Sequence, residues 1–448
     1  MKRRQFIQAG AGASLAMMMA DVIAQGRSLS GTAGKGQGLL GPDGRPLAGG
    51  SVQLADGSAA AGAQPDKPAW ASIGRISKVS EGLYAPTRYA FVADRVSNFI
   101  SVTDIVSGAH VKTLDFGIRP HVMEMARDDA WLAVASPESR KMFFMNLRTQ
   151  ERHRVDLPSP VFQMFFVPQS TLLAVGLRDQ VGMIDYSDFS VRIFPRRFDS
   201  DQRQTALNTY YSLLFSSFSK SFWVLDEDAP RIYHKDGDSD SDDDWREIDM
   251  SKHIGSGSGL GIGVASAEDD LLAITTDDGS EGLVYFPEQD RVLSTGPMRT
   301  VGSTNEPMIM PYIDAYSNHV IFADVQGNVA LFDLKKGDEK PQRFTVKFSP
   351  RFIRTGWLES TWILAGDRGV MLQSFDDPSD QRVDRFRQEV MSMWVTGDSK
   401  TALYTLDELV PQLFRYDIRT RKPLKPIRVR GVSMPAMIRM GSNNSICY

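Results

Sequence analysis

Five aspartates stand at alternate positions in Asp236-Gly-Asp238-Ser-Asp240-Ser-Asp242-Asp-Asp244. Closely spaced oxygen ligands suit calcium, and several calcium loops open on Asp-x-Asp-x-Asp. In an extended hairpin the alternation would place the carboxylates on one face, where they repel unless a cation or water intervenes. The following glycine and the closing bidentate glutamate of an EF-hand loop are missing. A solvated acidic hairpin tip is therefore the plainer reading, and calcium the chemical one. Methionine is abundant, with pairs at Met123/Met125, Met308/Met310 and Met391/Met393 joined by Met164, Met434 and Met437. Thioethers suit Cu(I), yet they also fill irregular cores, and i, i+2 spacing on a strand puts both on one face by geometry alone. Core packing comes before copper. Gly255-Ser-Gly-Ser-Gly-Leu-Gly-Ile-Gly263 invites a phosphate-loop reading but lacks the helix and the Lys-Ser/Thr that such loops need. It reads as a tight entrance to a strand. Cys447 is the only cysteine, which excludes an internal disulfide and Cys-x-x-Cys-His haem attachment.

The body that must position any such site is soluble in character. The 448 residues are 42% hydrophobic and 24% charged, with a net charge of −4. That balance gives no electrostatic case for nucleic acid. No apolar run approaches the roughly 20 residues that cross a bilayer as a helix. The chain opens Lys2-Arg3-Arg4-Gln5-Phe6-Ile7, continues with the weakly apolar Ala9–Ala20, and reaches Val22-Ile23-Ala24. This is the layout of a secretory signal. The paired arginines resemble the twin-arginine type, whose pattern is Arg-Arg-x-Phe-Leu/Ile. Residues 1–24 are therefore expected to be a signal peptide, with Arg3 and Arg4 carrying the address and Ala24 preceding the cut. The mature protein is expected in the periplasm. Residues 25–75, rich in Gly, Ala and Ser, read as a flexible leader, residues 76–441 as the folded body, and residues 442–448 as a tail.

The body repeats. Short apolar strands broken by Asp, Gly, Ser and Pro turns begin at Tyr89-Ala-Phe-Val-Ala-Asp94 and Phe99-Ile-Ser-Val-Thr-Asp104. Similar hairpins recur at Ile100, Met142, Val181, Arg231, Leu283, Val329, Val370 and Gln412, at steps of 39 to 52 residues. Steps of about 40–50 residues holding four strands signal an all-β propeller. Eight hairpins give a single propeller of eight blades, or seven if the weak hairpin at Arg231 is not a blade. Tyr89–Ala93 reads as the second strand of a blade, and Ala436-Met-Ile-Arg-Met440 as an orphan first strand. Joined, they close the ring and leave no bare sheet edge.

Gly117-Ile-Arg-Pro120-His121-Val-Met-Glu-Met-Ala-Arg-Asp-Asp129-Ala-Trp-Leu-Ala-Val-Ala135 resembles the repeat of bacterial YVTN-type propellers. The wider group includes the propeller of cytochrome cd1 nitrite reductase and the heavy chain of methylamine dehydrogenase. The segment from Leu403 through Tyr416-Asp417 to Met434-Pro-Ala-Met-Ile is similar to the closing strands of that heavy chain. The resemblance implies two different functions. In the amine dehydrogenases the quinone sits on the small subunit and the heavy chain is a scaffold. In the nitrite-reductase-like propellers a haem d1 occupies the central channel, held by histidine. Here only His121 stands at a matching kind of position, so it is the candidate cofactor ligand as well as a candidate packing or turn residue.

The expectation is thus an exported, non-catalytic binding or scaffold protein, holding a protein partner or small ligand on a propeller face, with a redox-complex subunit as the form the resemblance suggests. The competing expectation is an oxidoreductase or cofactor carrier using haem d1, quinone or metal in the channel. His-Glu-x-x-His and Gly-x-Ser-x-Gly are both absent from the sequence.

Overall fold

The computed structural model describes residues 83, 87–126, 130–198, 209, 211–239, 241–254, 259–298 and 308–441. The expected signal peptide with Arg3, Arg4 and Ala24, the leader, Asp129, Asp240 and the tail with Cys447 lie outside the described residues.

Among the described residues every sheet has four strands, and there are eight sheets, each an antiparallel meander. Blade 2 is typical: Val122–Met125 innermost, then Trp131–Ser136, Ser139–Asn146 and Arg152–Asp156 outwards. The innermost strands of blades 3 to 8 are Gln163–Phe166, Ser212–Ser216, Leu260–Ala265, Tyr312–Ile313, Ser349–Gly356 and Val390–Val395. Blade 1 takes its innermost strand, Pro435–Arg439, from the far end of the chain, paired with Tyr89–Asp94 through Val92↔Ile438 and Ala93↔Met437. Ring closure is as the orphan strand required. Eight blades is the answer, because Arg231–Asp236 is a full third strand, paired on both sides in blade 4.

Each sheet is buried on both faces, since every blade packs against two neighbours. That is why stretches such as Leu271-Leu-Ala-Ile274 are continuously apolar rather than alternating. Phe91, Val102, Met123, Leu132 and Phe143 fill the seam between blades 1 and 2, and Val329, Leu331, Trp362 and Leu364 that between blades 6 and 7. Met123 and Met125 share the first of these seams, and Met164 and Met393 are likewise buried in core. Met310, by contrast, is exposed. Turns are stitched by aspartates: Asp104 accepts from the N–H groups of Val106 and Ser107, and Asp324 from those of Gln326 and Asn328. The glycine-rich run ends as a strand entrance. A side chain at Gly259 would meet the Glu227 carbonyl at 1.8 Å, and one at Gly263 the Ala273 carbonyl at 2.7 Å. The exposed outer strand of blade 8, Lys422–Arg428, carries Lys422, Pro423, Lys425 and Pro426, residues that discourage edge pairing. The sole α-helix among the described residues is one turn, Ser251–Ile254, and no helix is long and apolar enough to cross a membrane.

Candidate functional site in the central channel

The innermost strands run the same way round the axis. The face where they begin is called the front, and the face where they end the back. Register aligns one residue from each. Arg439, Glu124, Phe165, Leu214, Val264, Tyr312, Arg354 and Trp394 pair respectively with Phe91, Ala133, Ala174, Trp223, Ala273, Ile321, Ile363 and Leu403 at one level of the second strands. They form a collar, and its two halves differ. Blades 3 to 5 contribute Phe165, Leu214 and Val264. Blades 6, 7, 8, 1 and 2 contribute Tyr312, Arg354, Trp394, Arg439 and Glu124.

The polar half is a connected cluster. Arg439 Nε donates to Glu124 Oε2 at 3.3 Å, and its guanidinium lies 4.5 Å from the centre of a Trp394 ring. The Arg354 guanidinium is 5.6 Å from a Trp394 ring and 6.0 Å from that of Tyr312. Trp394 thus has two cations within cation–π range, contacts that help hold both side chains in place. The Glu124 and Arg439 side chains retain 27% and 18% exposure. Loss of solvent pushes the Glu124 carboxyl up, against the pull of Arg439, of the Met125 N–H and of Arg354. Among the described residues this half thus sets two guanidiniums, Arg354 and Arg439, beside one carboxylate, Glu124, while Leu214 and Tyr312 of the same level are buried in the core.

His121 lies elsewhere. It immediately precedes the innermost strand of blade 2, half-buried at the front face, with Nε2 3.5 Å from the Arg95 carbonyl in blade 1. It is three residues before Glu124, about 10 Å along a strand. Burial lowers its pKa, against the opposing pull of the Arg95 carbonyl and Glu138, so the imidazole is neutral at pH 7. Beside it Arg119 pairs with Glu138 at 3.4 Å.

The aspartate run forms the hairpin between the third and fourth strands of blade 4, on the back face. The described carboxylates of Asp238, Asp242 and Asp244 go to separate partners. Lys220 Nζ donates to Asp238 at 2.8 Å, Arg192 Nε to Asp242 at 2.7 Å, and the fully buried Lys235 to Asp244. Asp236 accepts from the Asp238 N–H at 2.8 Å. Among the described residues no three His, Cys, Asp or Glu stand close enough to hold a metal ion. Cations of the chain itself relieve the repulsion foreseen for this loop. Millimolar calcium is accordingly expected to leave the melting temperature unmoved within about 1 °C, measured by calorimetry with and without chelator; a clear rise would speak for a calcium loop instead.

No protein-family model matches the chain, and no curated protein matches it in sequence. Solved structures do match in three dimensions. The dihydro-heme d1 dehydrogenase NirN, solved in complex with DHE, superposes with a TM-score of 0.61 at 13% identity, over 85% of this chain and 84% of that one. Apo AztD from Citrobacter koseri superposes with a TM-score of 0.52 at 10% identity, over 79% and 98%. The likeness is one of fold. It agrees with the sequence resemblance to the propellers of the cytochrome cd1 group, and identities this low carry no residue roles across.

None of the collar residues is conspicuous in the sequence by motif. A signal was nevertheless present: Met-Glu124-Met, Ile-Arg354-Thr and Ile-Arg439-Met each place a charge inside an apolar first strand, where a solvated face is not on offer.

Proposed function

We propose that this chain is an exported binding propeller whose central channel holds a flat, carboxylate-bearing organic molecule against the collar. The observation that carries the reading is the cluster of Arg354 and Arg439 against Trp394 at one level of the innermost strands, beside Glu124. Guanidiniums would take the carboxylates, the aromatic and aliphatic side chains the ring system. That NirN, a propeller of the same fold, is described in complex with DHE supports a ligand of tetrapyrrole size. The residues fit the carboxylated periphery of a haem d1-like group; if one binds, the iron chemistry is its own, and what the chain does is clamp and orient. His121, with Nε2 turned to the Arg95 carbonyl, is not needed for the clamp.

The test is a titration of purified mature protein with haemin, followed by its absorption bands. Saturable 1:1 binding is expected, weakened about tenfold or more in Arg354→Ala and within about twofold of wild type in His121→Ala. Absence of saturable binding, or equal binding by Arg354→Ala, would overturn the reading. A His121→Ala loss as large as that of Arg354→Ala would reinstate the histidine as a ligand.

A second reading, the heavy-chain-like scaffold of a redox complex, is favoured by one observation. Val96, Leu409 and Val410 are exposed on the front face of the adjoining blades 1 and 8, an apolar lip on which a partner protein could dock. Co-purification of a stoichiometric subunit from the native periplasm, lost in Leu409→Asp, is the outcome that would support it.

A further inference from the structure

Two residues ahead of the collar, towards the front face, strand alternation brings a second level of residues to the same side of the wall. Exposure at this level runs against polarity. Its polar members are buried in contacts between blades: Gln163 Nε2 donates to the Leu213 carbonyl of blade 4 at 3.1 Å, and Ser392 Oγ accepts from the Ile438 N–H of blade 1 at 3.0 Å. Its apolar members stay open. Met437 in blade 1, Val122 in blade 2, Ile262 in blade 5 and Phe352 in blade 7 are half-buried, and Met310 in blade 6 is 45% exposed. Met437, Val122 and Phe352 each rest on a seam between blades, so core packing fixes their positions. At or just ahead of this level the ladder to the second strand slips by one residue in blades 1, 5, 7 and 8, which bends the innermost strands there. Two residues behind the collar, by contrast, Ala126, Val167, Ser216, Ser266 and Thr396 are all buried.

Apolar side chains left open while their polar neighbours are buried are the reverse of what water alone favours, and they mark a surface suited to an apolar occupant. The charges beside them say what else that occupant carries. One level deeper, the guanidiniums of Arg354 and Arg439 stand with the single carboxylate of Glu124. We propose that the channel is entered from the front and that the apolar level around Met310 is the subsite for the hydrocarbon body of an amphipathic anion, whose charged end lies at Arg354 and Arg439. This rests on the channel reading above and narrows its ligand class. The acid group and the start of the apolar body are separated by about 7 Å, the rise of two strand residues. A small hydrophilic acid leaves the apolar level wet, and an apolar cation meets like charge at the collar. In a tetrapyrrole the carboxylate edge leads and the apolar edge lies against Met310, which makes Met310 a specificity-determining residue.

Met310 supplies its own reporter, because peroxide oxidises an exposed thioether and spares a covered one. With dilute hydrogen peroxide, peptide mass spectrometry should show Met310 oxidised ahead of the buried Met123 and Met393. Decanoate should slow that oxidation about threefold or more in wild type, and not in Arg354→Ala. Acetate and decyltrimethylammonium at the same concentration should leave it unchanged. Failure of decanoate to shield Met310, equal shielding by either control, or shielding that survives Arg354→Ala overturns the inference. Haemin, followed by its absorption bands, separates this inference from the reading it rests on. Met310→Glu should weaken haemin binding about tenfold, with Met310→Leu within about twofold of wild type. Haemin that binds wild type and Met310→Glu alike overturns the subsite and leaves the channel reading in place. Haemin that does not bind wild type counts against the channel reading, while the decanoate footprint still decides the front subsite.

Discussion

Replacing Arg439 by methionine should lower the unfolding free energy by roughly 3 kcal/mol near neutral pH, the scale for removing one partner of a largely desolvated ion pair. Methionine keeps most of the stem that lies along Trp394, so the loss isolates the charge. What remains is Glu124 in a channel wall with 27% of its side chain exposed and its hydrogen-bonded partner gone. The carboxyl is already raised by loss of solvent, against the pull of Arg439, and without that pull it must rise further. A carboxyl raised in the folded state binds protons there that the unfolded chain has already released. Stability therefore falls as pH climbs from the ordinary carboxylate range through the raised value. Urea unfolding at a series of pH values should show Arg439→Met close to wild type at acid pH and progressively weaker towards pH 8. Glu124→Gln in the same chain should recover most of the loss. A penalty that is flat with pH, or not relieved by Glu124→Gln, would mean that Arg439 acts through packing alone.

Asp269→Ala is expected to cost about 2–4 kcal/mol, a penalty that also fades in acid but in a lower pH window, because this carboxyl is depressed rather than raised. Asp269 sits in the turn between the first two strands of blade 5 and reaches across to blade 4. There it accepts from Ser221 Oγ at 2.5 Å and from Trp223 Nε1 at 2.8 Å. The His234 ring lies against Trp223, centres 4.0 Å apart and planes tilted by 39°, and holds Nε2 3.9 Å from the same carboxylate. Loss of solvent alone would raise Asp269; the donors around it outweigh that and hold it at about 2. A carboxyl depressed in the fold contributes stability that is complete above its unfolded value, about 3.9, and is lost as pH falls towards about 2. The difference between wild type and Asp269→Ala should thus be full at neutral pH and shrink below pH 4. A variant that unfolds at the wild-type denaturant midpoint would show that blades 4 and 5 are held by their apolar seam alone.

The ring was legible because a propeller repeats its instructions. The hairpins from Ile100 to Gln412 carry the same strand–turn–strand cue, and Ala436–Met440 has no local partner, so closure follows from counting strands. The site was illegible for a matching reason. A collar takes one residue per blade, so its members Glu124, Arg354, Trp394 and Arg439 are tens or hundreds of residues apart and make no motif. Only register reveals that they share a level, and register is set by side-chain packing between blades, which periodicity does not report. Asp236–Asp244 is conspicuous because its spacing is local, whereas of the cations paired with it Lys220 and Arg192 come from elsewhere in the chain and Lys235 from the strand that leads into the run. His121 drew attention through a segment whose opening residues, Gly117 at φ 68° and the buried Pro120 included, link blade 1 to blade 2.

The strand that closes blade 1 also brings Arg439 to the collar. Residues up to Arg428 supply seven four-stranded sheets and three strands of the remaining one, so a chain cut before Pro435 would leave the inner edge of Tyr89–Asp94 unpaired and would take from Glu124 its Arg439 donor. One short segment therefore serves both the closure of the ring and the charge balance of its inner wall, and truncation there is expected to bare a strand edge open to pairing with another chain.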